Sequence, residues 1–245
     1  MSTKQHKIYI TQDWGVFWGT FVDNAFHKHY AIQLSFAAKT GVQIISADGQ
    51  SHNYDCMLVK SNVEHQLKCT GEHLVFLFSP ITPVGRFFSE LSKNAIASLE
   101  HETVTKIREV LNLLIKKQLN FSGFVTQIKA YLKGLNNTCL NQKQVQDERI
   151  KTALFYLENN KNRVIPLTEI AKVSYLSPSR FLHLFKNELG ITYRRAQLWI
   201  KIVHSFPYLQ EHSITETAYQ YGFSDSAHYS KTFKQNFGFS PKFLK

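Results

Sequence analysis

Two sets of residues in this 245-residue chain have types and spacing that could do chemistry. The first lies on two C-terminal segments. Ser179, Leu182, His183 and Lys186 recur at helical spacing, with Arg180 beside them. Ala227, Ser230, Lys231 and Lys234 do the same further on, with His228 beside them. In a DNA major groove a lysine meets phosphate or guanine, and leucine or alanine can touch a thymine methyl. The alternative is a pair of solvated helix faces. The second set is His27, His29 and His65, with Gln33 and Trp18 near them in sequence. His27 and His29 fall on one face of a strand. With His65 they could supply three nitrogens to a metal, or they could hydrogen-bond within a pocket. No nucleophile–base pairing and no phosphate-cradling glycine loop stands out, so an enzyme is not expected.

The elements that must position the first set form a repeat. Ala171 answers Ala218, Phe185-Lys186 answers Phe233-Lys234, and Gly190 answers Gly238. Each copy reads as short helix, tight turn, longer amphipathic helix and glycine stop, the pattern of a helix-turn-helix. The units fall at 167–189 and 213–237. Phe181, Leu184, Phe185 and Leu189 make the inward stripe of one longer helix; Tyr229, Thr232, Phe233 and Phe237 make that of the other. Ser177 is an N-cap and Pro178 a first helical residue, and Ser224 or Asp225 caps the second. Gly222 suits the second turn because glycine tolerates positive φ. Tyr175 holds the matching place in the first, which predicts a strained or differently shaped turn.

These residues carry a resemblance. Leu167-Thr-Glu-Ile-Ala171, Ser177-Pro-Ser, Leu184-Phe-Lys186, Gly190, Ser213-Ile-Thr-Glu216, Gly222-Phe-Ser-Asp225 and Phe237-Gly-Phe-Ser-Pro241 resemble the DNA-binding domain of AraC/XylS-type bacterial transcription regulators. The resemblance covers about 149–245. It implies two recognition helices held apart by a connecting helix near 193–209. Lys201 stands where that family usually has Arg, and Ser205 where it usually has Ala. Pro207 falls inside the connecting helix and is expected to kink or shorten it.

The formal charge is +11. Residues 148–245 hold +7 of it and residues 1–147 hold +4, a bias that suits a polyanion partner. Cys56, Cys69 and Cys139 form no zinc pattern, and their odd number argues against a disulfide framework. No signal-like or membrane-length apolar run is present, so the expected location is the cytoplasm. Trp14–Trp18 and Phe21 suit a strand pair. Short β segments follow from His29 to Ser79, with a hairpin turn at Asp48-Gly49. Here His27-x-His29 and Val63-Glu-His65 resemble a cupin-type sensor barrel. Metal sites of that type usually take a Glu after the paired histidines, and Gln33 is nearest to that place. The pocket is therefore expected to hold a small organic effector without metal or other cofactor, among the aromatics Trp14, Trp18, Phe26, Tyr30, Phe36 and Phe76. From 86 to 136 the period is helical. Val104, Ile107, Leu111 and Leu114 form a 3-4-3 seam suited to a dimer contact or to packing within the chain.

The expected fold is α+β. A small cupin-like β-barrel occupies 1–80, a helical dimerisation region 81–136, a linker 137–147, and an all-α domain with two helix-turn-helix units 148–245. The expected function is that of a sequence-specific, effector-responsive regulator, an activator by family tendency. Its expected partners are double-stranded DNA, a small organic effector, a second copy of itself and RNA polymerase, with no membrane. The rival readings are a metal-dependent cupin enzyme with a basic appendage and a dimerising adaptor that binds DNA weakly.

Overall fold

The computed structural model describes residues 7–20, 26–38, 42–68, 71–138 and 145–244. Phe21, Cys69, Cys139 and most of the expected linker lie outside them. The chain divides into two units, Met1–Lys143 and Gln144–Lys245.

Among the described residues unit 1 begins with the strands β1 (Lys7–Ile10), β2 (Trp14–Gly19), β3 (Ile32–Ala37), β4 (Val42–Ser46), β5 (Ser51–Tyr54), β6 (Cys56–Val59), β7 (His65–Lys68) and β8 (His73–Phe78). Helix α1 (Pro83–Glu90), strand β9 (Ile96–Ser98) and helices α2 (Glu102–Ile115) and α3 (Phe121–Thr138) follow. The strands form two antiparallel sheets, ordered β1-β2-β8-β3-β6-β9 and β5-β4-β7. Among the described residues the strands do not close a barrel, and a His27–His65 bridge lies outside the ladders. The β4–β5 turn is the Asp48-Gly49 turn expected from sequence, with Gly49 at φ 82°. Strand β9 breaks the helical stretch expected from residue 86 and carries the sheet past residue 80, because Met57, Leu58 and Val59 pair with Ser98, Ala97 and Ile96.

Alternation along the strands sorts side chains into two faces. Trp14, Val16, Trp18, Ile32, Leu34, Phe36, Leu74, Phe76 and Phe78 share one face of the large sheet and belong to one core with α1–α3. The seam expected for a dimer is part of this core. Val104, Ile107, Leu111 and Leu114 are all buried in it, as are Phe124, Val125, Ile128 and Leu132 of α3. Residues left outside on α2 include Thr105, Lys106, Glu109 and Asn112. Arg108 secures the helix to the sheet by donating to the carbonyls of Ala37, at 2.6 Å, and Asp55, and its guanidinium lies over the Phe36 ring. The sequence showed an apolar stripe but not its cover, and the sheet supplies that cover.

Unit 2 is helical: α4 (Glu148–Asn159), α5 (Leu167–Val173), α6 (Pro178–Leu189), α7 (Tyr193–Glu211), α8 (Ile214–Gln220), α9 (Ser226–Phe237) and a 3₁₀ turn at Pro241–Leu244. Helix α7 runs through Pro207 and is not shortened. The proline is exposed, while Phe206 and Leu209 on either side are buried and hold the last turn in place.

Candidate functional site

Both helix-turn-helix units form where the repeat placed them, α5–α6 and α8–α9. Local chemistry fixes each end. Ser177 caps α6 through its hydroxyl and the Arg180 amide, with Pro178 as the first helical residue. Ser213 and Glu216 form a reciprocal capping box on α8, at 3.1 and 2.8 Å. Asp225, not Ser224, caps α9, accepting from the His228 amide at 2.7 Å. That bond leads the contacts that hold the Asp225 carboxyl below its ordinary range. Gly190 and Gly238 stop α6 and α9 in left-handed conformations, φ 72° and 83°.

The two turns share one geometry. Leu176 N–H donates to Ala171 O and Phe223 N–H to Ala218 O, both at 2.9 Å. Tyr175 and Gly222 occupy equivalent left-handed positions, φ 53° and 63°. The first turn is therefore not differently shaped; it accepts a strain of roughly 1–2 kcal/mol for a non-glycine residue. Tyr175 can stand there because it is 91% exposed. At Gly222 a Cβ would lie 2.8 Å from the Asn162 carbonyl oxygen.

Helix α7 ties the units together. Tyr193 stacks edge-on against Phe181 and Phe185 of α6. Its hydroxyl and the Gln197 amide nitrogen both donate to Ile165 O, at 2.7 and 2.9 Å. Burial pushes the Tyr193 phenol up. Further along, Ser205 shares a 2.7 Å hydrogen bond with the Tyr229 hydroxyl, and Phe206 and Trp199 meet Phe233 and Phe237. Lys201 is 1% exposed; its ammonium donates to Gly222 O at 2.7 Å and sits 4.4 Å from the Phe223 ring centroid. Burial lowers its pKa to about 8. Sequence reasoning missed Tyr193 and Gln197 as positioning residues. Lys201 and Ser205 stood out only as departures from the family pattern.

The outward faces are where the spacing placed them. Ser179, Arg180, Leu182, His183 and Lys186 are exposed on α6, with Leu182 at 40%. Ala227, Lys231 and Lys234 are exposed on α9, and Ser230 is half-buried. His228 is half-buried. Its ring nitrogen Nδ1 lies 3.1 Å from Ser224 Oγ and the ring packs edge-on against Phe223, so it is engaged at the cap. Inside the turns, Phe181, Phe185, Leu189, Tyr229, Thr232, Phe233 and Phe237 are buried, while Leu184 is half-buried.

In unit 1 the expected effector group is split. His27, His29 and His65 converge, with ring centroids 4.5–5.5 Å apart. His29 Nε2 lies 2.9 Å from Gln33 Oε1, and the Gln33 amide nitrogen donates to Ser35 Oγ at 2.9 Å. Burial, then the neighbouring His27, lowers the His29 pKa to about 4. Trp18 does not join them. It pairs with Leu74 across the large sheet, and its face packs on the helices; Gln33 pairs with Leu77 on the opposite face. Trp14, Phe36 and Phe76 share Trp18's core, while Phe26 is 48% exposed. A cavity of about 330 Å³ lies elsewhere, lined by Trp14, Val84, Leu132, Lys129 and Lys133 among others.

A helix-turn-helix domain family model matches residues 170–245. The probable transcriptional regulator LumQ of Photobacterium leiognathi is 25% identical over 193 residues, 75% of each chain. The transcriptional activator RhaS of Yersinia pestis (strain Pestoides F) is 34% identical over 104 residues, covering 41% of this chain and 37% of RhaS. Unit 2 contains a helix-turn-helix domain similar to that of AraC/XylS-type regulators. The crystal structure of apo ToxT K231A from Vibrio cholerae strain SCE256 covers 96% of this chain at TM-score 0.56 and 16% identity, a likeness of fold across 98% of ToxT. By the similarity to AraC/XylS-type regulators, α6 and α9 stand where recognition helices would lie, and α7 where a connecting helix would lie. Among the described residues no helix is long and apolar enough to cross a membrane.

Proposed function

We propose that this chain is a sequence-specific DNA-binding transcription regulator whose unit 1 answers a small organic effector. One observation carries the reading. Two helices share turn and stop geometry, each is capped by a side chain that accepts from its third amide, and both turn basic faces to solvent. Lysines neutralising phosphates release counterions and supply the sequence-independent part of binding. Leu182, His183, Ala227 and Ser230 sit nearer the N-terminal ends and read base edges. Lys186 and Lys234 sit further along and meet phosphate.

The effector reading rests on the 330 Å³ cavity, within the range of small-molecule sites. Trp14, Val84 and Leu132 form its apolar wall, and Lys129 and Lys133 offer positive charge alongside the polar Thr11, Gln12 and Asp13; burial raises the Asp13 carboxyl above its ordinary range. That combination fits an amphipathic acid. One ToxT structure, 13% identical to this chain, is described as bound to an unsaturated fatty acid. The reading includes activation through RNA polymerase, a cytoplasmic location and a homodimer, with a contact other than the buried 104–114 seam. The test is selection of binding sites from random duplexes with the full chain, followed by competition at physiological salt. A selected site should outcompete random DNA by about 10³-fold or more. Equal affinity for both refutes sequence-specific readout.

A further inference from the structure

We infer that His27, His29 and His65 form a binding site for one divalent transition-metal ion of the zinc class. The backbone builds the site. His27 and His65 exchange both amide hydrogen bonds, each 2.9 Å, so they stand directly opposite one another as a hydrogen-bonded antiparallel pair. His29 lies two residues on, and its carbonyl accepts from the Asn62 amide at 2.7 Å, which holds this segment against the lead-in to β7. One ring nitrogen from each histidine lies within 4.8 Å of the other two. Tetrahedral zinc with nitrogens at 2.0–2.1 Å needs them about 3.4 Å apart. Imidazole χ2 torsions are broad, so small ring rotations close that difference.

The tautomers suit ligation. His29 Nδ1 lies 2.9 Å from Ala31 O, and His65 Nδ1 lies 3.0 Å from Val63 O. A carbonyl only accepts, so each Nδ1 carries the proton and each Nε2 carries the lone pair. This is the arrangement that metal-ligating histidines use to fix ring orientation. His29 Nε2 then faces Gln33 Oε1, one acceptor against another, at 2.9 Å. A cation joining those two lone pairs removes the conflict. Reversing the Gln33 amide, so that it donates to His29 and accepts from Ser35, removes it without a metal. The donor set is three neutral nitrogens with an amide oxygen beside them, which suits Zn, Cu, Ni or Fe rather than Mg or Ca. The sequence expectation of a metal-free pocket rested on the missing carboxylate; the fixed tautomers and the convergence of the three rings were not visible there. Because His27 and His29 lead into β3 of the large sheet and His65 opens β7 of the small one, a bound ion clamps the two sheets together.

The full chain, purified without a histidine tag and stripped with chelator, should take up one Zn²⁺ per chain and gain thermal stability from it. Cobalt in its place should give the visible spectrum of a nitrogen-ligated ion. His27→Gln, at a half-buried position, should weaken Zn²⁺ binding by about 100-fold while the circular dichroism stays unchanged. Gln33→Glu adds a charged ligand and should tighten binding by at least about 10-fold. The proposal is overturned if Zn²⁺ binds well below one per chain, or if its affinity is indifferent to both substitutions. The reversed amide, with no ion at the site, predicts one or the other of these results.

Discussion

Replacing Gly222 by alanine separates two physical effects that the two turns combine differently. At φ 63° any L-residue carries roughly 1–2 kcal/mol of left-handed strain. The new Cβ would also stand 2.8 Å from Asn162 O and 3.2 Å from Arg163 Cα. Both are backbone atoms, so the 162–163 segment or the α8–α9 turn must move, at a further cost of about 1–3 kcal/mol. Together Gly222→Ala should destabilise unit 2 by about 2–5 kcal/mol, less a few tenths to 1 kcal/mol for the stiffer unfolded chain. Gly190→Ala is the internal control. Its φ is 72° but nothing lies within 4 Å of the new Cβ, so it should cost only the strain, about 1–2 kcal/mol. Tyr175→Gly should go the other way and stabilise by up to about 1 kcal/mol, since Tyr175 bears the strain with 91% of its surface exposed. Hydrogen exchange of peptides from α5–α6 and α8–α9 in the full chain reads these changes without interference from unit 1. If Gly222→Ala costs no more than Gly190→Ala, the close approach of the 162–163 backbone is wrong.

Leu111→Ala should destabilise unit 1 by about 2–5 kcal/mol in urea unfolding and leave the sedimentation coefficient of the folded protein unchanged, because Leu111 is core and not interface. A folded, equally stable variant that has lost a dimer would contradict this. The Lys201 pKa of about 8 lies below the ordinary lysine value near 10.4, so between those pH values the unfolded state binds more protons. The stability of the native chain relative to Lys201→Met should therefore rise from about pH 8 to pH 10, and a flat difference rules out the buried ammonium. Lys186→Ala and Lys234→Ala should each weaken binding to all duplexes alike and reduce the salt slope by about 1, as filter binding over a salt series would read. A change of base preference in either variant would move that lysine to the base-reading group.

The recognition helices were legible because their signals are local. A cap, a 3-4 apolar spacing and a glycine stop each act within one or two turns of chain, and Ser177, Pro178, Asp225, Gly190 and Gly238 all serve as such signals do. The turn at Tyr175 was harder, because its conformation is set by the packing of α5 on α6 and overrides the residue's own preference. What sequence could not give was the partner of each apolar face. The 104–114 stripe looked the same whether a second chain or the chain's own sheet would cover it, and only long-range strand order decides that. Trp18 stands apart from the expected effector group for a related reason. Trp18 and Gln33 look like neighbours in composition, but strand register puts them on opposite faces of one sheet. His27, His29 and His65 met because a β-bridge happens to align them, which no spacing rule reveals. The connecting helix hid Tyr193 and Gln197 because their partners lie about 30 residues away in sequence, at Ile165.

The central claim is that one chain carries two DNA readers. Methylation interference and hydroxyl-radical footprinting of the full chain on a selected site test it most directly. Two major-groove patches should be protected on one face of the duplex, with centres about one helical turn, roughly 10.5 bp, apart. The double variant Leu182→Ala, His183→Ala should erase one patch, and changes at Ala227 and Ser230 should erase the other. A single patch, or the loss of both patches from changes on one helix alone while unit 2 remains folded, would contradict the account.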